Sequence, residues 1–163
     1  CDPSLRRRVL YPLSYRGVAG RACGRSTAAA MIPRRMNLQS IALVFLGAGT
    51  GGVARHLVYQ WLNPLLNTLP VGTLVANVSG SYAAGLLMGV IALRADLDAP
   101  LRLLVMVGFL GGFTTFSAFS VEVSAMITAQ RWQAAALTML LHVAGSILAA
   151  LLGLASARAL LNG

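Results

Sequence analysis

Residues 108–120 read GFLGGFTTFSAFS and bring three glycines, four hydroxyl side chains and four phenylalanines into a hydrophobic run. Gly111-Gly112 beside Thr114-Thr115 is where a helix is expected to break. Broken backbone at membrane depth survives only inside protein or beside water, and its released carbonyls can bind a cation. Past the break, Phe116 and Phe119 stand three residues apart and share a helix face, interleaved with Thr115, Ser117 and Ser120. A phenyl ring has a positive edge. Ring edges and hydroxyl or amide donors can therefore replace water around a small anion, without a fixed cation that would hold it too tightly to leave.

Three further polar residues sit in apolar surroundings. Asn77, in GTLVANVSGSYAAG, can both donate and accept. It reads either as an interhelical hydrogen bond, worth about 0.6–2 kcal/mol, or as a donor facing an anion path. Arg55 is costly in hydrocarbon. It either reaches the interface alongside Tyr59 and Trp61 or forms a permanent positive charge at a vestibule that concentrates anions. Glu122 is an acid within an apolar stretch, suited to pairing with an arginine, capping a polar track or carrying protons.

Other matches fall away on context. GAGTGG at 47–52 fits a dinucleotide-binding glycine pattern, but the next acid is Asp96 and the sequence between is another apolar run. Asn77-Val78-Ser79 spells a glycosylation acceptor inside a predicted membrane span. His56 and His142 lack carboxylate or cysteine partners at ligand spacing, so no histidine metal site is expected. No nucleophile, base and orienting group occur together, and an enzyme is not expected.

The elements that must position these residues are membrane helices. The chain of 163 residues is 57% hydrophobic and 10% charged, against roughly 25% charged in soluble domains. Too few charges remain to cover a soluble surface. A spanning helix needs about 20 mostly apolar residues. Four windows qualify, at about 39–60, 71–93, 102–127 and 132–158, with Pro64, Pro70 and Pro100 marking limits. Small residues four apart, such as Gly47 and Gly51 or Gly108 and Gly112, allow close helix approach in lipid. Four helices enclose little interior, so at least a dimer is expected.

The charge of +9 first suggests nucleic acid, but eight of the thirteen arginines lie within residues 1–35. From Met36 onward five arginines face three acids, and no basic face with polar or aromatic partners remains. Nucleic acid is therefore not an expected partner. Residues 1–35 are Arg-rich, hold both cysteines and are punctuated by proline and glycine; no fold is assigned to them. They read as sequence upstream of a start at Met36 or Met31, leaving 36–163 as the four-helix unit. Counted from Met36, Arg94, Arg102 and Arg158 lie on the side of the termini and Arg131 on the other. So weak a bias lets a chain insert either way up.

Taken in order, GAGTGGVAR, GTLVANVSGSYAAG and GFLGGFTTFSAFS resemble the Fluc (CrcB) family of fluoride channels, and the resemblance covers residues 39 to about 158. It implies an all-α membrane protein with four transmembrane helices per subunit, the third broken near Gly111–Thr114. Two subunits would form an antiparallel, dual-topology homodimer with two fluoride pores. The function implied is passive export of cytoplasmic fluoride across a bacterial inner membrane. By the same resemblance Asn77 would be the pore amide, and Phe116 and Phe119 the rings that meet fluoride. Thr115, Ser117 and Ser146 would belong to the polar lining, Arg55 to the vestibule and Glu122 to the acid after the rings. The carbonyls of Gly111 and Thr114 from both subunits would hold one structural Na⁺. Two positions depart from the family pattern: Ala118 replaces a hydroxyl, and Thr138 stands where a tyrosine is expected.

Overall fold

The computed structural model describes residues 37–65, 69–93 and 99–162. The extension at 1–35, together with Arg94, Asp96 and Asp98, lies outside the described residues. Among the described residues, four helical stretches are long and apolar enough to cross a membrane: Leu38–Leu62, Val71–Leu93, Ala99–Thr128 and Trp132–Leu161. They fall within a few residues of the expected windows.

Helix α1 (Leu38–Leu62) is started by Asn37, whose side chain accepts from the Gln39 amide. It runs into a 3-10 turn at Asn63–Leu65. Asn63 Oδ1 then accepts from the Gly72 amide at 2.8 Å, covering one of the exposed amides at the start of α2 (Val71–Leu93) and fixing that helix against the end of α1.

The third span is built in pieces. A short α3 (Ala99–Arg102) leads into a π-helical stretch, Leu103–Leu110, then α4 (Gly111–Phe113). Thr114 and Thr115 are extended, at φ/ψ −86/155 and −152/125, before α5 (Phe116–Thr128). The break therefore falls at the threonines rather than the glycines. Gly111 and Gly112 stay helical because Gly112 is pressed on α1, where an added Cβ would stand 2.9 Å from the Ala48 Cα. The β-branched threonines suit extended backbone, and the Thr115 hydroxyl caps the new helix by accepting from the Ala118 amide. After a tight turn with Gln130 at φ 59, α6 (Trp132–Asn162) crosses back.

The helices pair through small residues. The third span packs on α1 where Gly47 meets Gly108: a Cβ on either would lie within 3 Å of the other's Cα. Helix α2 packs on α6, with Gly85 against the Ala150 backbone and Gly153 against the backbones of Tyr82 and Leu86. The four-apart spacing thus serves contacts within one subunit. The only cluster of buried apolar side chains joins Phe119, Val123, Met126 and Ala135 among the described residues. At most 22% of any span's apolar window is buried inside the chain. Side chains such as Leu46, Val107, Val143, Leu148 and Leu152 point outward, for lipid or another subunit to cover.

Candidate functional site

Asn77 and the break are one structural unit. Its Nδ2 donates to the Thr115 carbonyl at 2.9 Å, and its Oδ1 accepts from the Thr115 amide at 2.8 Å. The carboxamide thereby imitates a neighbouring strand and satisfies both backbone groups of a residue that has left the helix. One Nδ2 hydrogen remains for another acceptor. In an unbroken helix the Thr115 amide would go to the Gly111 carbonyl; here it goes to Asn77, so that carbonyl is released. Beside it, Thr114 donates its hydroxyl to the Leu110 carbonyl at 2.9 Å.

Two grooves meet at Thr115, which lines both. The first, about 530 Å³, is lined by Asn77, Gly111, Thr114, Phe116, Phe119 and Ser146, with Ser81 and His142 among the others. Phe116 is 77% exposed and open to whatever covers this face, whereas Phe119 is 8% exposed. Their rings are 5.5 Å apart and tilted by 57°, so the edge of one approaches the face of the other. The second groove, about 520 Å³, collects Arg55, His56, Tyr59, Ser117 and Glu122. The Ser117 hydroxyl lies 3.1 Å from that of Thr115 and so joins the lining of the second groove, away from the rings.

The structure thus brings Asn77, Thr115, Phe116, Phe119, Ser146, Gly111 and Thr114 together, and gathers Arg55, Glu122 and Ser117 on the other side of the break. Arg55 and Tyr59, one turn apart on α1, open onto the same space as Glu122, yet among the described residues Glu122 makes no ion pair with Arg55. Its Oε1 accepts from the Thr73 hydroxyl, and its Oε2 is buried without a hydrogen-bond partner, as is the Tyr59 hydroxyl. Thr73 is fully buried. It lies one turn before Asn77, so both side chains of α2 address the third span, Asn77 at the break and Thr73 beyond it at Glu122. That spacing of four was the available signal for Thr73 as a site residue. The departures also find places: Thr138 is buried with its hydroxyl on the Met126 sulfur at 3.5 Å, and Ala118 lines the second groove.

Known proteins match nearly the whole described region. The family described as CrcB-like protein, Camphor Resistance (CrcB), matches residues 42–154. A protein of Tolumonas auensis named fluoride-specific ion channel FluC is 42% identical over 119 residues, covering 73% of this chain and 94% of the relative. Its namesake in Burkholderia thailandensis is 43% identical over 120 residues, covering 74% and 94%. A third, from Desulfovibrio desulfuricans, is 37% identical over 117 residues, covering 72% and 91%.

Proposed function

This chain belongs to the CrcB family, and from that premise we propose that it is a passive, fluoride-selective channel releasing cytoplasmic fluoride down its electrochemical gradient. It is a multi-pass membrane protein, with four spans among the described residues. Fluoride enters acidified cells as HF, dissociates and is trapped; a pore lets the membrane potential expel it and so protects the cell. The role proposed is conduction rather than catalysis.

One observation carries the mechanism: Asn77 holds the break so that Phe116 and Phe119 enter the same groove as Thr115 and Ser146. A fluoride ion there would exchange water for ring edges, the remaining Asn77 N–H and hydroxyls. Arg55 in the second groove would raise the local anion concentration. Among the described residues no lysine or arginine lines the first groove, so no permanently charged side chain there holds the ion too tightly to leave. Phe116→Ala or Phe119→Ile should slow fluoride flux by about tenfold or more, a barrier change of about 1.4 kcal/mol. Normal flux in both would remove the ring-edge mechanism.

The subunit would act as an antiparallel homodimer in a bacterial inner membrane. Support comes from the little interior of one subunit, from the exposed Phe116 and from the near-balance of arginines after Met36. The proposed structural Na⁺ suits the Gly111 carbonyl, released from the helix, and the Thr114 carbonyl in extended backbone. Such oxygens are hard ligands fit for a hard cation. Bound there, the ion would supply fixed positive charge tying the breaks of two subunits together. A proton-coupled transporter is the competing class; α1 offers it Arg55 and no acid. Net flux whose direction is set by voltage and not by the sign of an imposed pH gradient separates the channel from it.

A further inference from the structure

His142 has no part in the mechanism above, yet it lies in the first groove. It is 5% exposed and stands on α6 one turn before Ser146, with which it shares that lining. Its Nδ1 is 3.0 Å from the Thr138 carbonyl. A carbonyl only accepts, so Nδ1 carries a hydrogen and the tautomer is fixed. All variation is thereby left to Nε2, which is buried without a hydrogen-bond partner. In the neutral ring Nε2 presents a lone pair, which repels an anion. In the imidazolium it presents an N–H, which attracts one. The ring lies 4.6 Å from that of Phe119, tilted by 30°.

Resting on the channel reading, we propose that His142 is an ionisable member of the fluoride route, whose Nε2 becomes a donor to the passing anion when protonated. The groove supplies the reason. Its other lining is apolar side chains, ring edges, one amide and hydroxyls, so an added N–H and a positive charge change the solvation of an ion there more than at any exposed site. The charged ring would also lie against Phe119, the geometry in which an aromatic face steadies a cation. Among the described residues no other titratable side chain lines this groove. From α2 the groove is lined by Asn77, Gly80, Ser81 and Ala84, and from α5 by Phe116 and Phe119, none of which titrates. Tyr82 on α2 donates instead to Ser156, 3.2 Å away, and Glu122 on α5 belongs to the second groove with Arg55, His56 and Tyr59. Acid should therefore speed fluoride passage.

The test is voltage-driven fluoride efflux from liposomes carrying the full chain, at about pH 5.5 and about pH 7.5, the interval across which an imidazole changes charge. Protein-free liposomes correct for HF crossing the bilayer. The wild type should release fluoride about threefold or more faster in acid, tracking the gain in imidazolium. His142→Asn should be flat. Equal rates, slower release in acid, or an acid response that survives in His142→Asn overturns the proposal. No fluoride release at either pH removes the channel reading, and this proposal with it; release that ignores pH removes this proposal alone. A second readout does not need the His142 variant to fold. His56 and His142 are the chain's two histidines. In His56→Gln protein the remaining imidazole NMR signal is that of His142, and in acid it should move with fluoride and stay still with chloride. A signal that ignores fluoride overturns the assignment.

Discussion

Asn77 shows how a single side chain can hold a site without any charge. Its carboxamide spends one donor and one acceptor on Thr115, at 2.9 and 2.8 Å, leaving one N–H over. A hydrogen bond of this kind contributes about 0.5–1.5 kcal/mol, and an unpaired buried group costs about 1–3. Asn77→Ala should therefore lower stability by about 1–3 kcal/mol in a detergent unfolding assay and reduce flux with it. Asn77→Asp is the sharper variant. It keeps an acceptor for the Thr115 amide but sets a carboxylate against the Thr115 carbonyl and the anion path, so flux should fall further than stability does. Equal losses in the two assays would make Asn77 purely a fastener. The amide was visible in the sequence, with two roles open; its partner was not, because backbone groups 38 residues away have no letter. Likewise Glu122 left an arginine partner, a polar-track cap and proton carriage open, and the fold supplied Thr73, because only packing decides which of several polar groups a carboxylate meets. His142 was set aside as a metal ligand for want of ligand partners, and its place in a groove came from the fold alone.

At the level of elements, the four spans were legible because length and apolarity are the whole requirement for crossing a bilayer. The broken third helix was legible too, and within the expected stretch the break sits at Thr114 and Thr115, just after the glycine pair. Glycine invites a break, but here it serves a different need, which is close contact with α1. The π-helical stretch Leu103–Leu110 had no signal at all: LLVMVGFL is an ordinary apolar run, and nothing in those letters distinguishes one helical winding from another. Helix pairing gives a direct prediction. At Gly85 an added Cβ would stand 2.9 Å from the Ala150 Cα, and closer still to its carbonyl. Gly85→Val should force α2 and α6 apart and cost about 1–3 kcal/mol, the usual range for overpacking. Its thermal unfolding in detergent should come well below that of the wild type; an unchanged midpoint would mean that the two helices are not held together there.

For the molecule as a whole, the sequence spoke through what it lacks: few charges, little arginine asymmetry after Met36 and little apolar bulk that four helices can hide from outside. Residues 1–35 carry most of the positive charge and lie beyond the region matched by the family, 42–154. Deleting them should leave fluoride flux within about twofold of the full chain, since such flanking charges act on orientation rather than on the pore. A large loss would tie the extension to insertion or conduction. Cross-linking in lipid should capture a dimer, and removing Na⁺ should weaken it if the Gly111 and Thr114 carbonyls share an ion between subunits. The central claim is selective conduction, and its most direct measurement is ion efflux from liposomes loaded with fluoride beside a matched set loaded with chloride, both under an imposed membrane potential. Rapid, voltage-driven loss of fluoride with chloride retained is the expected result. Folded dimers that retain fluoride, or release both ions alike, would contradict it.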